Sequence, residues 1–304
     1  RRWHNLLWFP SRGCDGMSIP RLMQMAKSGA SAGGGGAAGD GDFTSATYDS
    51  SYTIPSVTNL RGIVVSDDET KILVVDISAS TNYLIRVELT TAGDLSTASV
   101  ADTSSIGTGT KFNLFLQSPS IVWAMDASAD SIKKYTLNAD FGDSISSTGT
   151  TSVPAGANTT SSDNPNSVTF NNDGSKMFIG DWNADGVQEF ALSTNYDPST
   201  ATYTDNGDVS TQTVSPYAHF WGSSGTKLYV HEGSAGTSEL FQYTLSTAYD
   251  VSTKSYDGSL MLDDGPLTTN GYAVGVGSNS NDNALYVAVA DFVSGTTSIA
   301  KYTA

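Results

Sequence analysis

Residues 192–203 read Leu-Ser-Thr-Asn-Tyr-Asp-Pro-Ser-Thr-Ala-Thr-Tyr, and residues 245–256 read Leu-Ser-Thr-Ala-Tyr-Asp-Val-Ser-Thr-Lys-Ser-Tyr. A looser copy occupies residues 89–100, and the back half returns at residues 42–48 as Asp-Phe-Thr-Ser-Ala-Thr-Tyr. Self-similarity at a period of about 50 residues marks an array of supersecondary units, each unable to bury its apolar face alone.

Working outward from this stretch, each copy is preceded by an alternating apolar run: residues 84–89, 132–137, 187–192, 240–245 and 299–304. Alternation with period 2 is the pattern of a half-buried strand. Before these lies a second set of runs, Ile72-Leu-Val-Val, Ile121-Val-Trp-Ala, Met177-Phe-Ile-Gly, Leu228-Tyr-Val-His and Leu285-Tyr-Val-Ala. Four of the five follow polar turns such as Asn172-Asp-Gly-Ser, whose residues supply positive φ and side-chain hydrogen bonds to the backbone. Five copies of each run give five units. Four short antiparallel strands per unit predict an all-β, five-bladed β-propeller over residues 42–304. The chain stops where the fifth unit needs its outer strand, and the missing piece sits at residues 42–48. The N-terminal strand is therefore expected to complete the last blade beside residues 298–304, hiding two sheet edges. The second unit is degenerate between residues 144 and 165, which leaves its outer strand undefined by the pattern.

Composition agrees with many short strands and polar turns. Residues 42–304 carry ten basic and 29 acidic side chains, a net of −19. That surface repels phosphate backbones, so nucleic acid is not an expected partner. No apolar run approaches the roughly 18 residues of a membrane span. Cys14 is the single cysteine, so no internal disulfide and no cysteine-rich metal site are expected.

Residues 1–16 resemble nothing downstream, and Met17 reads as the natural start, with the preceding residues non-native. Residues 28–41 are almost entirely Gly, Ala and Ser, the composition of a flexible linker. Residues 1–41 thus read either as a plain tail or, over residues 17–41, as a tether joining a propeller head to other virion or surface proteins.

The stretch Ser167-Val-Thr-Phe-Asn-Asn-Asp-Gly-Ser-Lys-Met-Phe-Ile and the Tyr-Thr-Leu-Ser-Thr-x-Tyr-Asp segments resemble propeller repeats in structural or tail-associated proteins of marine tailed phages and marine bacteria. More distantly, they are similar to the YVTN-type repeats of lactonase-like propellers. The resemblance covers roughly residues 42–304. It implies a non-enzymatic structural or binding module on a phage virion or extracellular surface, whose head contacts a glycan or protein. Two alternatives are a lactonase-like propeller enzyme acting on a small molecule and an architectural decoration protein without a ligand.

The inner strands surround the central channel of a propeller and are where its reactive groups are expected. Aligned by repeat, they give the rows Arg61, Thr110, Asn166, Tyr217, Val274; Ile63, Phe112, Val168, His219, Val276; and Val65, Leu114, Phe170, Trp221, Ser278. None holds a carboxylate, so paired-carboxylate glycoside chemistry is not expected. His219 reads as a hydrogen-bonded core histidine or, with Trp221, as a ligand contact. Tyr196, Tyr249 and Phe141 recur after the third strand, either plugging their own loops or offering rings to a sugar. Asp181-Trp-Asn-Ala-Asp-Gly186 with Glu189 imitates a calcium loop, with Asp181, Asn183, Asp185 and Glu189 as ligands, although position 12 is Leu192 rather than an acid. The same residues also suit a simple hairpin. Calcium is the one cofactor the motifs suggest.

Overall fold

The computed structural model describes residues 41–304 except 78–80, 110, 139–140, 142–144, 155–164, 233–237, 263–264, 268–270 and 292–294. The proposed tether and residues 1–16 lie outside the described residues apart from Gly41.

The first strand, β1 (Thr47–Thr53), belongs to the last sheet. Blade 1 follows as β2 (Leu60–Val65), β3 (Lys71–Ile77), β4 (Asn82–Leu89) and β5 (Ala98–Gly107). Blade 2 is β6 (Lys111–Ser118), β7 (Ile121–Asp126), β8 (Ser131–Leu137) and β9 (Ile145–Ser152). Blade 3 is β10 (Pro165–Phe170), β11 (Lys176–Asp181), β12 (Gly186–Leu192) and β13 (Ala201–Asp208). Blade 4 is β14 (Pro216–Trp221), β15 (Lys227–Glu232), β16 (Glu239–Leu245) and β17 (Lys254–Met261). Blade 5 is β18 (Gly271–Ser278), β19 (Ala284–Asp291), β20 (Thr296–Thr303) and then β1. The ring is a five-bladed propeller closed by its own N-terminal strand. β1 pairs antiparallel with β20 from Thr47↔Thr303 to Thr53↔Ser298. The outer strand β9, which the sequence pattern left undefined, pairs with β8 from Ile145 to Ser152.

The repeated stretch has a definite local meaning. Asp94, Asp197 and Asp250 each cap one 3₁₀ turn, their side chains accepting the backbone N–H of Ser96, Ser199 and Ser252. Asp42 accepts Thr44 N–H in the same way at 3.0 Å. Such caps satisfy donors that a helix start leaves orphaned. The preceding Tyr196 and Tyr249 take positive φ (55° and 56°), which turns their rings back over the first hairpin of the same blade. Opposite them stand Gly174 and Gly225, where an added Cβ would lie 2.3 and 2.2 Å from the tyrosine ring. The hairpin glycine and the tyrosine are one packing unit separated by more than 20 residues of sequence.

Neighbouring blades are latched at one equivalent place. The residue before the core position Val87, Phe190, Tyr243 or Tyr302 of the third strand reaches the loop before the next blade's outer strand. Arg86 Nη1 donates to Phe141 O (2.9 Å), Lys301 Nζ donates to Gly93 O (2.8 Å) and Glu189 Oε2 accepts Val251 N–H (3.1 Å). Gln242 Oε1 accepts Phe43 N–H (3.0 Å). Two of these four latches join blade 5 to its neighbours. Phe43 itself is fully buried, 5.3 Å from the Tyr229 ring and 6.5 Å from that of Phe220. It is a wedge between blades 4 and 5.

The pairing also corrects the alignment of blade 2. Val122, not Ile121, pairs with the core aromatic Tyr135, as Ile72 pairs with Val87. Leu114 pairs with Ala124, so it stands level with Ile63 and His219, two positions nearer the strand's start than the repeat alignment placed it. Every inner strand shifts register near its start, between Arg61 and Ile63, Lys111 and Leu114, Pro165 and Ser167, Pro216 and Ala218, and Ala273 and Gly275, but blade 2 shifts a second time, between Leu116 and Ser118, and that extra bulge sets it off from the others. A bulge inserts an extra residue and re-aims the side chains beside it.

Candidate functional site

The bulges mark one end of the axis, called here the front, where inner strands begin and second strands finish. Arg61, Asn113, Asn166 and Tyr217 sit at or beside the bulges of blades 1 to 4. Directly across the start of the inner strand in blades 1 to 4 lies an acid from the end of the second strand: Asp76 pairs with Leu60, Asp126 with Lys111, Asp181 with Pro165 and Glu232 with Pro216. Asp76, Asp126 and Asp181 are all buried. In blade 5 the level position is Val289, and Asp291 stands two residues beyond it.

These acids have different occupations. Asp181 Oδ1 accepts the N–H groups of Asn183 (2.7 Å) and Ala184 (3.2 Å), closing the β11–β12 hairpin. Asp126 accepts the Ser128 hydroxyl (2.8 Å) and lies 3.7 Å from Lys133 Nζ. Asp76 is the exception. It accepts the Asn59 backbone N–H, yet its Oδ1 is buried with no hydrogen-bond partner. Burial pushes the Asp76 carboxyl above the ordinary carboxylate range, opposed by the Asn59 N–H and the nearby Arg61 charge.

Arg61 is 7% exposed, donates from Nη1 to Leu60 O (2.7 Å) and donates a side-chain hydrogen bond to Tyr217. Blades 1 and 4 are not neighbours, so this bond crosses the front of the axis. The half-buried Tyr217 ring is flanked by Trp182 (5.8 Å) and, edge to face, by His231 (5.5 Å). His231 is fully buried with neither ring nitrogen hydrogen-bonded, and burial holds it neutral.

His219 lies deeper. It is fully buried and bridges blades 4 and 3, Nδ1 to Ser167 Oγ at 2.8 Å and Nε2 to Thr169 Oγ1 at 2.7 Å. Burial lowers its pKa to about 3. Both ring nitrogens are engaged in an interblade seam, so His219 is a core histidine. The recurring rings pack against their own propeller. Phe141 and Tyr249 are buried, Tyr249 against Trp221 (5.1 Å) and Phe178 (6.2 Å). Trp221 is buried in the same cluster, 4.5 Å from Phe178. Tyr196 is half-buried on Phe170 (5.5 Å) and donates its hydroxyl to Asn172 O (2.8 Å). These rings cover their own loops.

The calcium set is split by the fold. Glu189 points to the next blade, pairing with Lys176 Nζ at 2.7 Å and accepting Val251 N–H. Asp185 sits at the hairpin with φ 47°, its carboxyl pushed upward by burial and then by the Asp208 and Asp181 charges. Among the described residues no group of three or more His, Cys, Asp and Glu side chains is placed to hold a metal ion.

The front acids come from second strands and so do not appear in the inner-strand rows. A signal was present: Asp76, Asp126, Asp181 and Glu232 each end the second apolar run, just before the next turn.

No protein family matches the sequence, and no curated protein is significantly similar to it. Among solved structures, the chain is similar to a putative 6-phosphogluconolactonase from Bacteroides uniformis at 14% identity, covering 79% of this chain and 66% of that one, with a TM-score of 0.43. A periplasmic gluconolactonase from Pseudomonas aeruginosa is 12% identical, with 75% and 64% covered and a TM-score of 0.43. A luciferin-regenerating enzyme is 13% identical, with 82% and 92% covered and a TM-score of 0.45. This chain spans slightly less than two thirds of either lactonase structure. The likeness is one of propeller architecture, and nothing in it bears on a phage or marine origin. It does correct one expectation. Propellers similar to this one include enzymes, and buried acids stand at the front of the axis, so the assignment as a non-enzymatic module is withdrawn.

Proposed function

We propose that the chain is a lactonase-like propeller enzyme that opens a small, hydroxylated cyclic ester at the front end of its axis. The observation that carries this reading is Asp76, a buried carboxylate with one oxygen unpartnered, set near the Arg61 guanidinium. In such a reaction water attacks the acyl carbon while a carboxylate removes its proton, here Asp76. Arg61, and the Tyr217 hydroxyl beside it, supply donors for the oxyanion that develops on the carbonyl oxygen. Collapse of that intermediate breaks the ring C–O bond, and the proton held by Asp76 returns to the departing alkoxide. The product is a hydroxy acid. A carboxyl held above its ordinary range is a better base near neutral pH than an exposed aspartate.

The test is hydrolysis of a panel of five- and six-membered sugar lactones, followed by acid release, with and without chelator. Turnover above the uncatalysed rate is expected, falling at least about 100-fold in Asp76→Asn. Turnover equal in Asp76→Asn and the wild type would refute the assignment of the base. Display on a virion or cell surface through residues 17–41 remains a separate proposal, to be tested by deleting that segment and measuring incorporation into particles.

A further inference from the structure

We propose that Glu69 and Asp282 form a paired carboxylate lock on blade 5, the blade built from both ends of the propeller, and that loss of either charge lets this blade open ahead of the rest of the ring.

The lock is visible as a departure from a rule the other blades follow. In blades 1 to 4 the loop after the third strand folds back over the blade's own first hairpin and donates one backbone N–H to it. Phe141 donates to Pro119 O (2.8 Å), Tyr196 to Gly174 O (2.9 Å), Tyr249 to Gly225 O (2.9 Å) and Gly93 to Glu69 O (3.0 Å). In blade 5 Gly41 stands at that place, where a Cβ would lie 1.8 Å from the Asp282 carbonyl oxygen.

Two arrangements result. In blades 2, 3 and 4 the loop supplies an aromatic ring and the hairpin supplies Pro119, Gly174 or Gly225, so each blade covers itself. In blades 1 and 5 the sizes are exchanged. The loop supplies glycine, and the hairpin supplies Glu69 or Asp282, each at positive φ (54° and 52°). A Cβ on Gly93 would lie 2.8 Å from Glu69 Oε2, so the carboxylate occupies room that a loop side chain would need.

From there each carboxylate leaves its own blade. Glu69 accepts Asn279 Nδ2 (2.8 Å) and the hydroxyl of Tyr286, both buried residues of blade 5. Asp282, itself 1% exposed, accepts the Ser223 N–H of blade 4 (2.8 Å) and the Ser278 hydroxyl (2.9 Å). One carboxylate thus closes each seam of blade 5. Hydrogen bonds to an ionised acceptor are roughly twice as strong as neutral ones. Blade 5 is also the sheet whose third and outer strands, β20 and β1, are not joined by a loop.

The test is hydrogen exchange of the full chain at one fixed pH, read by mass spectrometry, in Glu69→Gln, Asp282→Asn and Tyr286→Phe. The first two keep the shape and remove a charge, and the third removes one donor to Glu69. Exchange in β18, β19, β20 and β1 is expected to accelerate at least about tenfold, while β10 to β13 of blade 3 change by less than about twofold. If a charge variant does not fold, Tyr286→Phe decides the matter, because it leaves both carboxylates in place. The proposal is overturned if blade 5 exchanges at the wild-type rate in the folded variants. It is equally overturned if all five blades accelerate together, which marks a loss of global stability with no opening confined to blade 5.

Discussion

Acidification should weaken this propeller through His219, and the size of the effect follows from its surroundings. The imidazole is fully buried, both nitrogens are bonded to the hydroxyls of Ser167 and Thr169, and burial lowers its pKa from 6.5 to about 3. In the unfolded chain the same histidine takes up a proton as pH falls below 6.5, whereas in the folded chain it stays neutral until about pH 3. The unfolded state therefore binds more protons across that window, and stability present above pH 6.5 is lost as pH drops through it. At pH 5 the loss is about 2 kcal/mol from this residue, at about 1.4 kcal/mol per pH unit. His231 shifts in the same direction, so its loss adds to that of His219. Urea unfolding at pH 7.5 and pH 5.0 measures the sum, and His219→Gln isolates one part. Glutamine can still serve both hydroxyls but cannot be protonated. The variant should lose about 2 kcal/mol less than the wild type between the two pH values. Equal losses in the two proteins would refute the reasoning, because contributions from the aspartates cancel in the comparison.

Phe43→Ala should cost about 3–5 kcal/mol by emptying the wedge between blades 4 and 5, read from the urea midpoint. A cost below about 1 kcal/mol would mean that the N-terminal loop is not part of the packed ring. Gly225→Ala should destabilise by at least about 1–3 kcal/mol, since a Cβ there meets the Tyr249 ring and the backbone has φ 73°. Replacing Tyr249 by Ala in the same chain should leave the Gly225→Ala change costing less than in the wild type, a double-mutant coupling measurable by thermal melts. Glu189→Ala should cost about 1–3 kcal/mol, because the buried Val251 N–H loses its acceptor, and Glu189→Gln should recover part of it.

The architecture was largely legible because each unit repeats the same local chemistry. The Asp of the Tyr-Asp-x-Ser-Thr stretch caps a turn, and alternation after it sets the strand face, so five copies and the split last blade could be counted from residues alone. Blade 2 was misaligned because its inner strand carries a second bulge, between Leu116 and Ser118, that the apolar alternation on either side does not reveal. The rings of Phe141, Tyr196 and Tyr249 were ambiguous for another reason: their partners, such as Gly174 and Gly225, lie a full hairpin away in sequence. The front of the axis was the least legible part. Asp76 becomes distinctive only once the fold buries it beside Arg61 and leaves one oxygen unpartnered. Nothing in the local sequence separates it from Asp126 and Asp181, which close their own turns or pair with lysine. In the calcium-like motif, Glu189 follows the loop in sequence but faces the neighbouring blade, an orientation that spacing alone does not reveal.

The account depends most on β1 sealing the last blade. Thr53 Oγ1 and Ser298 Oγ stand 3.3 Å apart across that seam, close enough for a disulfide after small adjustment. In a Cys14→Ser background, Thr53→Cys with Ser298→Cys should oxidise to one intramolecular disulfide, identified by mass spectrometry of the linked peptides, and should raise resistance to urea. Failure to form that link in the folded monomer, or a link formed only between two chains, would contradict the closure and the ring built on it.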